Sequence, residues 1–294
     1  MKKLVAATIF LGLLSACETM QKGAHSEEDS SYSPTTNSGE HPSSTESAAA
    51  AGFAQSANAG KPTPAATSQA GAVVSQGSLV DAIKSQNDEQ ISRVAGQLLT
   101  QNPNDIRALN AMAMYYFKKG KIDAAKFLLN KAVLANPNVG EVHNNIGLIY
   151  LSNNERREAI KSFRKALDIN GNDGIAAANA GSIYVIERDY VKAASALSVA
   201  FNHGIRDAKT MNNYGAALTA VQRFDEAASV YQSAMKEQNN NRELLLNYAI
   251  LLIDHQNKYK EGVEVLNRLK FIGPSTESRN RIIALENKAK AGVK

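Results

Sequence analysis

No arrangement of side chains in this 294-residue sequence matches a known catalytic motif. The histidines stand far apart along the chain, at His25, His41, His143, His203 and His255. No pair of them has the spacing of metal ligands, and no glycine-rich loop of the kind that holds phosphate is present. The sequence therefore predicts no catalytic residue, no metal site, no cofactor and no small-molecule substrate.

The single cysteine has a context of its own. Cys17 ends the tetrapeptide Leu-Ser-Ala-Cys, which follows two lysines and an apolar stretch from Leu4 to Leu14. That stretch is shorter than the roughly 20 apolar residues of a membrane-spanning helix, so residues 1–16 are predicted to be a secretory signal peptide. Leu-Ser-Ala-Cys resembles the lipobox of bacterial lipoproteins, which implies a lipid anchor that attaches Cys17 to the membrane. The alternative is an ordinary signal peptide with a chance cysteine.

The composition changes after Cys17. Residues 18–77 are rich in Ser, Ala, Thr, Gly, Gln and Pro and poor in large apolar side chains. Such a segment buries too little apolar surface to offset the entropy of ordering it. Residues 17–77 are therefore predicted to be the lipidated cysteine and a disordered linker. The lipoprotein resemblance also implies a location, because Glu18 in place of an aspartate favours the outer membrane, with the protein facing the periplasm.

Charge divides along the same boundary, with a net charge of −4 for residues 18–77 and +7 for residues 78–294. In the periplasm this basic excess does not indicate nucleic acid. It suits an acidic protein or anionic head groups, or it is only a solvated surface. The residues of a possible basic docking patch are Lys118, Lys119, Arg156 and Arg157.

Small residues recur in the rest of the chain with a period of 34, at Ala113, Gly147, Gly181, Gly215 and Ala249. Large apolar residues keep the same register, at Leu129, Phe163, Leu197 and Tyr231. A fixed period of this length is typical of a repeat architecture. Side chains able to cap a helix precede the first helix of four repeats, at Asp105, Asp173, Asp207 and Asn241.

This period and pattern resemble the tetratricopeptide repeat, in which each unit is two antiparallel helices. The resemblance implies an all-α, right-handed superhelical solenoid, in which the small residues lie where paired helices cross. We expect a degenerate helical repeat at residues 78–105 and five repeats at residues 106–274, the fifth with one extra residue near Asn257 to Tyr259. Residues 275–294 are expected to form a capping helix. Its inner side would carry Ile282, Ile283 and Leu285.

The resemblance also implies a concave groove, lined by the first helices, that holds a peptide or helix of a partner. Asparagines stand at or beside the sixth residue of each unit, at Asn110, Asn144, Asn145, Asn179, Asn212, Asn213 and Asn247. Because an amide both donates and accepts, this ladder could pair with the backbone of a bound peptide. The alternative is structural, with each amide bonding to a neighbouring part of the fold.

These inferences predict a lipid-anchored periplasmic scaffold without enzyme activity, which binds envelope proteins through the groove. It would assemble or position an envelope machine such as a pilus, a secretin or a motility complex. Lipoproteins with this architecture include pilotins and components of tight-adherence pili and gliding machinery. An alternative is an adaptor that recruits or regulates a peptidoglycan hydrolase or a protease.

Overall fold

The computed structural model describes residues 74–293, which contain thirteen α-helices, one short π-helix and no β-strand. The prediction of an all-α fold is confirmed for this part of the chain. No helix within it combines the length and the apolar character needed to cross a membrane. The predicted signal peptide, Cys17 and nearly all of the predicted linker lie outside the described residues.

The described chain divides into two compact units, residues 74–179 and residues 180–293, called here the N-terminal and C-terminal units. The helices of the N-terminal unit are α1 (Gln76–Lys84), α2 (Asp88–Gln101), α3 (Ile106–Lys118), α4 (Ile122–Ala135), α5 (Gly140–Ser152), α6 (Arg156–Ile169) and the start of α7 (Gly174–Ile186). The C-terminal unit continues with α8 (Tyr190–Asn202), α9 (Ala208–Ala220), α10 (Phe224–Glu237), α11 (Arg242–Ile250), the π-helix (Leu251–His255), α12 (Tyr259–Phe271) and α13 (Arg279–Gly292).

The predicted capping residues perform that role. The Asp105 carboxylate accepts the N–H of Ala108, and Asp173, Asp207 and Asn241 accept from backbone N–H groups at the starts of α7, α9 and α11. Each cap satisfies donors that have no partner within the helix. These four first helices therefore begin where the sequence places a short polar side chain, whereas α5 begins after Val139 without a side-chain cap.

A left-handed backbone conformation marks the turn inside every hairpin. Residues with positive φ stand at Gln86, Gly120, Asn154, Arg188, Gln222 and Asn257. Four of the five steps between them are 34 residues long, and the last step is 35. The extra residue of the last repeat therefore lies between Gln222 and Asn257.

The π-helix accounts for that extra residue. In Leu251–His255 the chain winds more widely than an α-helix, and the N–H of Gln256 donates to the carbonyl of Leu251, five residues earlier. A widened turn of this kind absorbs one inserted residue without breaking the helix. The prediction of an insertion near Asn257 to Tyr259 is therefore wrong in position, since the insertion lies within the first helix of the repeat, before the turn.

Close crossing explains the periodic glycines. A Cβ added at Gly147 would lie 2.5 Å from Cε1 of Phe163, and one at Gly181 would lie 2.5 Å from Cγ of Leu197. In the same register, Gly215 lies under the ring of Tyr231. Each of these large side chains is almost completely buried, so it cannot move aside to make room for a Cβ. The absent side chain is what lets the two helices pack.

The last helix, α13, buries Ile282, Leu285 and Ala289 on one side. Ile283 is 54% exposed, so its predicted place on the inner side is wrong. The physical reason is helical geometry, because one residue turns a side chain about 100° around the axis. The helix is also held by charge, since Asp254 of the π-helix receives the Arg281 guanidinium and the Lys288 ammonium, each at 2.6 Å.

We predict opposite effects for two glycine-to-alanine substitutions in helices. Gly147→Ala forces a methyl group into Phe163 and should lower the free energy of unfolding by about 1–2 kcal/mol, because overpacking exceeds the gain in helix propensity. Gly96→Ala, in α2, places its Cβ 3.7 Å from Cε of Met112, an ordinary contact, and should raise stability by about 0.5–1 kcal/mol. Denaturant unfolding measures both, and a stabilising Gly147→Ala would refute the close crossing.

Candidate protein-interaction cleft

A cleft of about 400 Å³ opens in the N-terminal unit. First helices of the hairpins, α1, α3 and α5, line it together with the start of α7. One wall is apolar and is formed mainly by α1 and α3, with the side chains of Leu79, Val80, Ile83, Ile91, Ala111 and Met114. The Gln76 amide nitrogen donates to the Asp105 carboxylate, which ties α1 to the start of α3.

The polar wall of the cleft comes from α3, from α5 and from the residue before α7. Its side chains are Arg107, Asn110, Glu141, Asn144, Asn145 and Asp173. The cleft therefore combines an apolar surface with amide and charged groups. This combination suits the two faces of an amphipathic segment.

The structure brings the predicted asparagines together, and most of them form hydrogen bonds with one another. The Asn145 amide nitrogen donates to the Asn110 oxygen at 2.8 Å, and Asn179 donates to Asn144 at 3.0 Å. In the C-terminal unit Asn247 donates to Asn212 at 2.9 Å. Each bond runs from the sixth residue of one repeat to the fifth residue of the repeat before it. All six residues are buried, so these amides join consecutive first helices.

Asn213 departs from this rule for a visible reason. The residue 35 positions earlier is Ala178, which has no amide to accept a hydrogen bond. The Asn213 amide instead donates to the Ser182 hydroxyl at 3.2 Å, and its side chain is only half-buried. The structural role of the asparagines thus has observed partners, whereas peptide binding by the ladder stays a prediction.

Glu141 is a residue of the cleft whose pKa is shifted from its ordinary value. Asn110 donates its amide to a Glu141 oxygen at 2.8 Å. The carboxyl is open to solvent, but the surrounding concave protein displaces much of its water. This desolvation raises its pKa above the ordinary value, and the charge of Asp173 adds to the effect, while the Asn110 bond and Arg107 oppose it.

Sequence reasoning missed Glu141 as a cleft residue, although a signal was present. The second residue of successive repeats is Arg107, Glu141, Ile175, Lys209 and Glu243. The sign of the charge alternates along this series, on either side of the apolar Ile175. In the C-terminal unit, burial lowers the pKa of Lys209, and the charges of Asp207 and Glu243 work against that shift. The same register that revealed the asparagines therefore marks a second line of polar residues.

The four residues of the predicted basic patch occupy different settings. Lys118 Nζ lies 2.8 Å from the nearly buried Asp88 carboxylate, so its charge is compensated. Lys119 Nζ stands 5.7 Å from the ring centre of Tyr115. Arg156 and Arg157 are exposed at the start of α6. Lys119, Arg156 and Arg157 therefore present exposed charges, the two arginines on one helix end, and a docking role for the set stays a prediction.

Within residues 74–293, no three His, Cys, Asp or Glu side chains are grouped so that they could hold a metal ion. The lining residues of the cleft offer apolar contact, hydrogen bonding and charge.

Comparison with known families identifies the repeats. Residues 106–139, 140–173 and 218–280 each match a tetratricopeptide repeat model. The tetratricopeptide repeats predicted from the 34-residue period are therefore confirmed. This fold is typically a non-catalytic scaffold for protein–protein interaction. No curated protein matches the sequence significantly.

Solved structures agree on the fold. The protein YrrB, a TPR protein with an unusual peptide-binding site, is 18% identical, with a TM-score of 0.56 over 67% of this chain and 97% of its own. MamA from Desulfovibrio magneticus RS-1 is 14% identical, with a TM-score of 0.50 over 57% of this chain and 94% of its own. PilF of Pseudomonas aeruginosa is 17% identical and covers 64% and 88%, with a TM-score of 0.49. At these identities the likeness concerns the fold alone.

We predict that replacing Glu141 affects stability in a pH-dependent way. A raised pKa means that the ionised carboxylate is less favourable in the folded protein than in the unfolded chain. The ionised Glu141 carboxylate therefore lowers the stability of the fold above its folded-state pKa. This loss of stability disappears as the pH falls below the ordinary pKa of a glutamate carboxyl. Glu141→Gln keeps an oxygen for Asn110, so it should unfold at the same or a higher temperature than wild type near pH 7.

Thermal melts at several pH values check this expectation. The difference between Glu141→Gln and wild type should shrink towards zero near pH 4, where the carboxyl of the wild type is protonated. A variant that is less stable near pH 7, with a deficit that closes on acidification, would contradict the assigned direction of the shift.

Proposed function

We propose that this chain is a protein-interaction scaffold whose cleft in the N-terminal unit binds a segment of another protein. The observation that carries the proposal is the cleft itself, which is lined by apolar side chains mainly from α1 and α3 and by polar side chains from α3 and α5. YrrB is a relative in fold with a peptide-binding site, which is consistent with this use of the repeats.

The chemistry of the walls defines the class of ligand. Val80 and Ile83 are the accessible apolar side chains of α1 in the cleft. They can contact apolar side chains of a ligand, whose burial is the main source of affinity in helix-in-groove recognition. Arg107, Glu141 and Asp173 offer charges of both signs to the polar side of the same segment. An amphipathic helix or an extended strand with alternating side chains meets both requirements.

The sequence motif at Cys17 supports a location for the scaffold. We propose that Cys17 carries the lipid anchor, that residues 17–77 connect it to the repeats, and that the protein faces the periplasm from the outer membrane. Two or more acyl chains give stable anchoring, which one chain does not. A Cys17→Ser variant should then leave the outer-membrane fraction, and its retention there would contradict the anchor.

The proposed partners are proteins of an envelope machine such as a pilus, secretin or motility complex. A recruited peptidoglycan hydrolase or protease is the alternative. The identity of the captured partner separates these two functions, because the binding surface would be the same.

We predict that a photoreactive benzoylphenylalanine at Ile83 crosslinks the partner in intact cells, because this side chain lines the cleft. The same group at the exposed Ser195 of α8 is the matched control and should give no specific product. Mass spectrometry identifies the captured protein.

Binding of the purified partner then tests the apolar wall. Val80→Asp places a charge on that wall and should weaken binding at least tenfold, whereas Val191→Asp, on the exposed side of α8, should not change it. Circular dichroism checks that both variants keep their helices. Equal binding by Val80→Asp and wild type would show that the cleft is not the interaction site.

A further inference from the structure

Two large apolar side chains lie uncovered on one face of α4, a second helix in the N-terminal unit. Phe127 is 68% exposed and Leu134 is 86% exposed. They are seven residues apart, so they point the same way, while Ala125, Leu129 and Ala132 on the other side of the helix are buried. Packing within the unit therefore does not explain these two residues.

The corresponding face of α6 is basic. Arg157, Lys161, Arg164 and Lys165 are exposed and share one side of the helix, opposite the buried Ala159, Phe163 and Ala166. In the 34-residue register, Lys161 takes the place of Phe127 in the next repeat. We call these four basic residues, with Phe127 and Leu134, the outer face.

One side chain of α4 reaches the start of α6. Lys126 Nζ of α4 lies 3.6 Å from a carboxylate oxygen of Glu155, the residue before α6, and 5.4 Å from the ring centre of Tyr150. The acidic residues Asp123 and Asp168 offset part of the positive charge, and Glu158 pairs with Lys161 at 2.8 Å. With its own acidic residues Glu158 and Asp168 counted, α6 still carries a net charge of +3.

We propose that the outer face docks on an anionic lipid surface. Its charge is complementary to anionic head groups, and exposed Phe and Leu next to Lys and Arg are the combination found where a helix lies in a membrane interface. No residue of the outer face lines the cleft, so docking leaves the cleft open to a partner. The inference stands on different residues from the proposed function and does not require it.

Sedimentation with lipid vesicles tests this proposal. The probe is the full chain carrying Cys17→Ser, mixed with vesicles of phosphatidylcholine alone or of phosphatidylcholine with about one third phosphatidylglycerol. Binding should be confined to the anionic vesicles and should weaken as salt is raised, because salt screens the charges.

Two variants separate the components of the outer face. Phe127→Ser with Leu134→Ser removes the apolar pair, and Lys161→Gln, Arg164→Gln and Lys165→Gln together remove the charge. Each should reduce binding to anionic vesicles at least tenfold. The control is Val191→Ser with Phe271→Ser, side chains that are 73% and 91% exposed in the C-terminal unit, and it should bind like wild type.

Three results would overturn the proposal. One is equal binding to neutral and anionic vesicles. Another is unchanged binding by both outer-face variants, which would place the contact in residues shared by all the proteins, such as the apolar stretch from Leu4 to Leu14. The third is binding to an acidic polypeptide such as polyglutamate without binding to vesicles, which would make the outer face a protein-docking surface.

Discussion

The hydrogen bond between asparagine amides of consecutive repeats is the interaction on which the cleft depends. An amide buried in a helical protein must find a partner, because an unpaired buried polar group costs about 1–3 kcal/mol. Here the partner of the sixth residue is the fifth residue of the preceding repeat. This requirement fixes the lateral position of one first helix against the next, and the faces aligned in this way become the polar wall of the cleft.

Inside three of the hairpins a second constraint acts, which is steric. The glycines at Gly147, Gly181 and Gly215 allow a large side chain from the paired helix to fill the space where a Cβ would stand. Since interiors are close-packed, this contact sets the distance between the two helices. The last repeat shows how much variation the scheme tolerates, because its π-helix takes up one inserted residue and still delivers Asp254 to the final helix.

Periodic features were predictable from the sequence, and non-periodic ones were not. The small residues, their large partners and the helix caps recur in register, so each occurrence supports the others. The site of the insertion did not follow, because the sequence shows that a residue is added but not whether a helix or a turn absorbs it. Ile283 was misplaced because a helix outside the repeats offers no second occurrence to check the inner side.

In the candidate site, too, periodic features were predictable and non-periodic ones were not. The asparagines were found from their spacing, but their mutual pairing depends on the stagger between adjacent helices, which no single sequence displays. Glu141 joins the cleft through its position in the repeat. The apolar wall of α1 escaped prediction because that helix belongs to the degenerate repeat and has Leu79 in the place of the usual small residue.

A double-mutant cycle on Asn110 and Asn145 tests most directly whether buried amides hold the repeats together. Unfolding free energies of Asn110→Ala, Asn145→Ala and the double variant give the coupling between the two side chains. The account predicts that the double variant loses less stability than the sum of the single variants, by about 0.5–1.5 kcal/mol. Asn110 and Asn247, which share no hydrogen bond, should show no coupling. Additive losses for Asn110 and Asn145 would contradict the account.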